Sequence, residues 1–352
     1  MKTIMKWPGG KEKELPVIRE NIPEYNGRFI EPFVGAGAVF FDTKNEKCCI
    51  NDKSIELINL YSCIKERNRD FSKYIQLECD EFKCVGSLVE ENKDEVLELY
   101  YSIISIEEFM KKHICELSAI ATDYSNIFMK EVKRNLSSKI ARSQKLELKN
   151  GPISDNDRMA NIEAALKSAY YMYVRYLQNN QKSLSFGRRA AVFFFIREFC
   201  YSSMFRYNAK GMFNVPYGGI SYNRKDFQKK IDYVLSDEMV EKLNTAIIRN
   251  QDFEEFIESL NLTGNDFMFL DPPYDSDFST YAKNKFGKEE QRRLCECLKR
   301  TKAKFLLIIK NTEFIYDLYK DYFKLSSFEK KYQVSFMNRN IKDVKHLIIT
   351  NY

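Results

Sequence analysis

Phe267-Met268-Phe269-Leu270 is an apolar run that stops at Asp271-Pro272-Pro273-Tyr274. A short continuous apolar stretch fits a strand buried on both faces, as in a parallel sheet. Two prolines end it, because proline has no N–H for the ladder and a fixed φ. The loop that follows therefore starts at the carboxyl edge of a sheet, where open α/β folds hold their ligands. Within Asn265–Tyr281 it offers a carboxylate, prolyl carbonyls without ladder partners and an aromatic ring. Such a set can accept hydrogen bonds from an amino group and stack on a planar base.

The same logic runs upstream. Phe29–Phe41 reads as an apolar strand leading into Gly35-Ala36-Gly37 and then into an apolar helix start. The glycines permit a tight turn whose N–H groups face a ligand. Position 40 is Phe, so the pattern is not Gly-x-Gly-x-x-Gly, and a nucleoside without phosphates fits better than a pyrophosphate. Cys48–Asn51 reads as a second strand ending at Asp52. An acid there can hold ribose hydroxyls, or cap a helix over Ile55–Ile64. Lys6-Trp7-Pro8-Gly9-Gly10-Lys11 is either a packed N-terminal turn or part of a ligand site. Lys242–Phe256 reads as a helix and a strand. Asn250-Gln251-Asp252-Phe253 then supplies an acid and a ring for an adenine, or the N-cap of the next helix. Lys288–Lys299 reads as a helix and Lys304–Lys310 as another buried strand. Tyr332–Phe336 and Lys345–Tyr352 read as a closing antiparallel hairpin.

Between Leu60 and Lys182 the chain is Glu/Lys-rich with helical spacing, as in Val96–Tyr101 and Ile162–Leu177. Arg134–Asp157, broken by Gly151-Pro152, is expected to be a mobile polar loop. Lys130, Lys133, Arg134, Lys139, Arg142, Lys145 and Lys149 form a basic run, which suits a solvated helix face or DNA contact. Ala190–Cys200 resumes an apolar helix. Tyr201–Gly219 then mixes aromatics, cations and amides with turn residues. That composition suits a surface loop, or a segment in which Arg206 forks onto a guanine while Asn208, Lys210 and Asn214 hold the backbone.

The 352 residues allow one large α/β domain with a smaller domain or insertion. The net charge of +6 is too mild to establish nucleic-acid binding by itself. Nine cysteines without a Cys-x-x-Cys pair, and only two histidines, argue for reduced thiols and against a zinc site. No signal region opens the chain, and Ala190–Ile196 is too short to span a bilayer. A cytoplasmic protein is expected, bacterial or phage-encoded and associated with the nucleoid.

Four blocks in this order resemble the Dam-type (D12 class, α group) DNA adenine-N6 methyltransferases: Lys6–Lys11, Phe29–Phe41, Arg206–Pro216 and Asp271–Tyr274. The resemblance covers roughly residues 1–64 and 186–352. It implies a Rossmann-like α/β methyltransferase sheet with a terminal antiparallel hairpin, plus a mainly helical DNA-recognition domain with a long insertion. The expected division is 1–60 and 236–352 for the catalytic domain, and 61–235 for insertion and recognition.

The resemblance further implies S-adenosyl-L-methionine as cofactor, no metal, and double-stranded DNA as partner. A cognate restriction endonuclease is a further expected partner, and no membrane is expected. Trp7, Lys11, Glu31, Pro32, Phe33, Gly35, Gly37, Asp52, Asp252, Phe253 and Asp271 would line the cofactor site. Asp271, Pro272 and Tyr274 would be catalytic, acting on an adenine flipped out of the duplex. Lys6, Tyr201, Met204, Arg206, Asn208, Lys210, Asn214 and Pro216 would meet DNA. Ser202-Ser203 and Met204 depart from the family's usual Asn and Leu, so recognition of GATC does not follow. Methylation of cytosine N4, RNA adenine or a protein glutamine stays open, as does a catalytically silent DNA-binding subunit.

Overall fold

The computed structural model describes residues 1–273, 286–331 and 343–352, with backbone alone at 329–331 and 343–345. Seven strands form one sheet: β1 (Phe29–Glu31), β2 (Cys48–Asn51), β3 (Ala246–Arg249), β4 (Phe267–Leu270), β5 (Lys304–Lys310), β6 (Lys324–Lys331) and β7 (Asp343–Thr350). Their order is β3-β2-β1-β4-β5-β7-β6. The first five are parallel; β7 runs antiparallel to β5 and to β6. This is the Rossmann-like arrangement of methyltransferases, with an antiparallel end.

The parallel centre forms where the sequence is apolar without interruption. Every residue of β1, β2 and β4 is buried. Beneath β4 and β5, Met268, Leu270, Phe305, Leu307 and Ile309 pack with Leu294, Leu298 and Ile315 from the following helices. Strand order reverses at β1, which has β2 on one side and β4 on the other. A crevice at such a switch point is where doubly wound sheets bind ligands. The expected closing strand Tyr332–Phe336 lies outside the described residues. On the side away from β5, β7 pairs with β6, a polar edge strand that begins at Lys324.

The chain divides into two compact units, Met1–Glu66 with Asp237–Tyr352, and Arg67–Ser236. The helix Ile55–Lys65 is continuous, so the first unit extends past residue 60. The second unit is helical. Helices Arg69–Glu91, Asp155–Asn179 and Phe186–Phe199 pack around Phe82, whose ring lies 4.4 Å from Phe199, 5.5 Å from Phe195 and 6.1 Å from Tyr170, and Ser125–Asn150 packs on Asp155–Asn179 through Phe128 and Tyr170. Asn68, Ser154 and Ser185 each cap a helix by accepting a backbone N–H. Arg134–Asp157 is not the expected loop. Residues 134–150 belong to the 26-residue helix Ser125–Asn150, and the next helix starts at Asp155. The apolar stripe of Ser125–Asn150 is narrow: Phe128, Val132, Leu136 and Ile140, one residue per turn, are buried, Ser143 lies buried on the same side, and most other positions are solvated. Gly151 stops it at φ +92°.

Parallel pairing of β1 and β4 starts at an ion pair. Arg28 donates to Asp266 from its backbone N–H (2.9 Å), Nε (3.1 Å) and guanidinium terminus (2.9 Å). Burial pushes the Asp266 carboxyl up, but Arg28 and the Thr263 N–H outweigh it and hold the group well below the usual carboxylate range. A lowered folded-state pKa contributes stability above the unfolded value, near about pH 4, that is lost as pH falls through the folded value. Asp266→Asn is expected to cost roughly 1–3 kcal/mol at neutral pH. It should also remove part of the stability lost on acidification below about pH 4. Urea unfolding across pH checks this; an unchanged acid profile would contradict it.

Candidate active site

β1 ends at Glu31 and β4 runs into Asp271, on neighbouring parallel strands in the register Phe29↔Phe267 and Ile30↔Met268. Lys11 reaches this edge from the N-terminal hexapeptide and forms an ion pair with Asp271. Its Nζ also donates to the Gly9 carbonyl (2.9 Å), so Lys11 is 3% exposed and the Asp271 side chain 17%. Gly9 bends the hexapeptide at φ +79°, and the Gly10 N–H donates to the Trp7 carbonyl (3.1 Å).

The Gly35–Gly37 turn stands beside this pair. Both glycines have positive φ, +49° and +75°. A Cβ on Gly35 would sit 2.9 Å from Trp7 Cδ1, so the indole lies against the bare backbone. The Gly35 N–H donates to Asp52 Oδ2 (3.0 Å), and the Tyr61 hydroxyl donates to the Gly35 carbonyl (2.8 Å). Asp52 also accepts from the Ser54 N–H (2.8 Å). It does not cap the following helix; Ser54 does, accepting from the Leu57 N–H. Burial raises the Asp52 pKa despite these N–H groups.

Asn51 extends the cluster towards β3. Its amide donates to the Pro32 and Gln251 carbonyls (both 3.1 Å) and accepts from the Gln251 N–H (2.8 Å). The Phe253 ring thereby stands 5.5 Å from Phe33 and 5.7 Å from Phe286. Asp252 caps its helix through the Glu254 N–H (3.1 Å) and accepts from Arg293 (2.7 Å). Trp7, Lys11, Glu31, Pro32, Phe33, Gly35, Gly37, Asp52, Asp252, Phe253 and Asp271 are thus linked through a chain of contacts along one sheet edge. Lys6 is exposed beside Trp7. Pro272 is buried and Pro273 exposed, while Tyr274 lies outside the described residues.

Glu31 is 2% exposed, and its Oε2 has no hydrogen-bond partner among the described residues. Burial first, then the nearby Asp271 carboxylate, push its pKa well above the ordinary glutamate value. A buried acid of this kind favours a cationic or N–H-bearing ligand beside a glycine turn.

Sequence reasoning did not single out Gln291. It is fully buried, and its Nε2 donates to the Pro273 carbonyl (3.1 Å). Asn51 and Tyr61 were also passed over; of the three, only Asn51 carries a local signal, an amide at a buried strand end.

Tyr201–Pro216, in the helical unit, folds as a hairpin with bridges Cys200↔Tyr217 and Tyr207↔Phe213. Phe205, Phe213, Val215 and Tyr217 are buried, whereas Arg206, Asn208, Lys210 and Pro216 are exposed and Met204 and Asn214 are partly so. Asn208 Oδ1 accepts from the Lys210 and Met212 N–H groups (both 3.0 Å), which shapes the turn. Arg206 Nε donates to Asn214 Oδ1 (3.0 Å) and presents the rest of its guanidinium outward. After Tyr201, Ser202 and Ser203 both adopt left-handed φ, +52° and +51°.

The sequence model of the D12 class N6 adenine-specific DNA methyltransferases matches residues 7–139 and 153–334. The chain belongs to that family. It is 30% identical to the Type II methyltransferase M.CviBI of Paramecium bursaria Chlorella virus NC1A, over the whole of both chains. It is 25% identical to the Type II methyltransferase M1.LlaDCHI of Lactococcus lactis subsp. cremoris, across all of this chain and 96% of that one. The DNA adenine methylase of Haemophilus influenzae is 24% identical over 90% of this chain and 82% of its own. The protein is an adenine-specific DNA methyltransferase, so it acts on DNA and requires a methyl donor. Among the described residues, no helix is long and apolar enough to cross a membrane.

Trp7 is the only tryptophan, so its fluorescence reports this site alone. Gly35→Ala should shift the emission by displacing the indole, and cost roughly 1–2 kcal/mol for a left-handed alanine. A spectrum identical to the wild type would contradict the Trp7–Gly35 contact.

Proposed function

We propose that the chain transfers the methyl group of S-adenosyl-L-methionine to N6 of an adenine flipped from duplex DNA, at one short sequence. The observation that carries this is the meeting of Lys11, Asp271 and the Gly35 turn at the carboxyl ends of β1 and β4. The residues suit that donor. Glu31 and Asp52 are acids for its cationic and hydroxyl groups, and Phe33 and Phe253 are rings for its base. The glycine turn admits a nucleoside without phosphates. When bound, this donor supplies an electrophilic methyl group.

The chain's own part is to make a poor nucleophile react. The lone pair of N6 is delocalised into the adenine ring. Asp271 and a prolyl carbonyl accept its two N–H bonds, which favours a pyramidal nitrogen. Gln291 steadies the Pro273 carbonyl, and the carbonyl assigned to the base is that of Pro272. Lys11 neutralises Asp271 and fixes its carboxylate. Tyr274 stacks on the flipped ring, and extrusion costs a few kcal/mol. Holding the reacting atoms in line supplies much of the rate.

The outward face of the hairpin reads the site. Arg206 meets a guanine edge, Met204 and Pro216 lie beside neighbouring bases, and Tyr201 fills the place the adenine leaves. Asn208, Lys210, Asn214 and Lys6 hold the backbone. The relatives named Type II methyltransferases support a restriction–modification setting in the cytoplasm, with a cognate nuclease as partner; a Dam-like role is the other setting.

Labelled S-adenosylmethionine, duplex DNA and sequencing of the modified bases test this. Label should appear as N6-methyladenine in one motif, and Asp271→Ala should lower transfer by roughly 100-fold or more. Cytosine labelling, or full activity in that variant, would refute the mechanism. Arg206→Ala should relax discrimination at one base by about 1–3 kcal/mol while cofactor binding persists. Loss of cofactor binding there would show the division of roles to be wrong. Because Glu31 is a raised acid, affinity for the cationic donor should weaken on acidification, and Glu31→Gln should flatten that dependence. Calorimetry across pH measures it; an equal slope in both proteins would remove Glu31 from the site.

A further inference from the structure

The methylation reading leaves unused the basic run on the helix Ser125–Asn150. Its buried stripe is Phe128, Val132, Leu136, Ile140 and Ser143. At about 100° per residue, Lys130, Arg134, Arg142, Lys145 and Lys149 fall within roughly 120° of arc on the opposite side. All five are exposed. The acids of the same helix are committed elsewhere or to a single cation. Glu131 pairs with Arg134, and Glu147 accepts from Arg158. Among the described residues, no ion pair engages Lys130, Arg142, Lys145 or Lys149. Lys139 and Arg142 both line a 410 Å³ cleft shared with Ser143 and Ile153, but Lys139 falls outside the arc of the stripe.

The stripe begins beside the hairpin. Ser168 donates to Asn135 Oδ1 (2.9 Å), and the Tyr124 and Tyr176 rings lie 5.6 Å apart, which joins this helix to Asp155–Asn179. From that second helix, Arg175 donates to the Val215 carbonyl of the hairpin (3.2 Å) and lies within electrostatic reach of Glu131 and Arg134. From Lys130 to Lys149 the stripe runs about 28 Å, the length of roughly eight base pairs.

We propose that this stripe is a second DNA contact, holding the phosphate backbone of the duplex that flanks the methylated site. It rests on the reading that the hairpin engages DNA. Cations along one helix face, of which only Arg134 is paired with an acid of that face, match a polyanionic backbone and carry no base information. The stripe therefore contributes affinity and salt dependence rather than sequence choice.

The test compares the full chain with the triple variant Arg142→Gln, Lys145→Gln, Lys149→Gln. Binding is titrated with 12- and 30-base-pair random duplexes over a range of KCl. Each lost phosphate contact should reduce the slope of log affinity against log salt by about 0.9, so the variant should lose about 2–3. At low salt its affinity for the longer duplex should fall at least about tenfold, while methylation of a saturating short duplex is unchanged. A variant that keeps the wild-type slope overturns the proposal. If the wild type transfers no methyl to adenine, the catalytic reading falls, and the slope still decides the stripe separately.

Discussion

The Arg28–Asp266 cluster sets the register on which the catalytic edge depends. The Phe267 N–H donates to the Arg28 carbonyl (2.9 Å) while Asp266 collects three donors from Arg28, so β1 and β4 are pinned at their amino ends. Side chains alternate along a strand, so a slip of one residue would turn every one of them to the other face. The strands are only three and four residues long. Register fixed at one end is therefore carried rigidly to the other, where Glu31 and Asp271 stand. Gly27 belongs to the same clamp: a Cβ there would lie 2.6 Å from the Asn265 carbonyl oxygen.

At the carboxyl end the balance of charge is deliberate in its effect. The nearby Asp271 carboxylate adds to burial in disfavouring ionisation of Glu31. Lys11 compensates Asp271, leaving a buried acid next to a glycine turn. When ionised, that acid would favour a cation over a neutral or anionic analogue. In the function proposed above, the same imbalance would favour the donor before transfer over the product that has lost its sulfonium charge.

How legible this was depended on burial. β1, β2, β4 and β5 could be read because parallel strands covered on both faces are unbroken apolar runs. β6 could not, because Lys324–Lys331 is a polar edge strand with one flank on solvent. The helix Ser125–Asn150 was mistaken in part for a loop because one apolar residue per turn is a weak signal among so many lysines. The candidate site residues near glycines, prolines and strand-end acids stand out in the sequence because those residue types mark backbone turns. Gln291 was not, since a buried glutamine looks like any other until its carbonyl partner is known. Ser54 rather than Asp52 as the cap follows from Asp52 being drawn to Gly35, a contact no local pattern reveals.

In the function proposed above, the hairpin Tyr201–Pro216 would separate holding from reading. Tyr171 and Arg175 bond the Val215 carbonyl, Asn179 bonds both the carbonyl and the N–H of Phe213, and Arg197 bonds the Met204 carbonyl. All of these grip main-chain atoms. The inward side chains Phe205, Phe213 and Val215 supply packing, and the outward ones at 206, 208, 214 and 216 owe the frame little. Asn208 is the exception, since its side chain shapes the turn. If residues 206 and 216 meet bases as proposed, changes there would alter which bases are met without altering how the hairpin is held, which would free sequence choice from the stability of the helical unit.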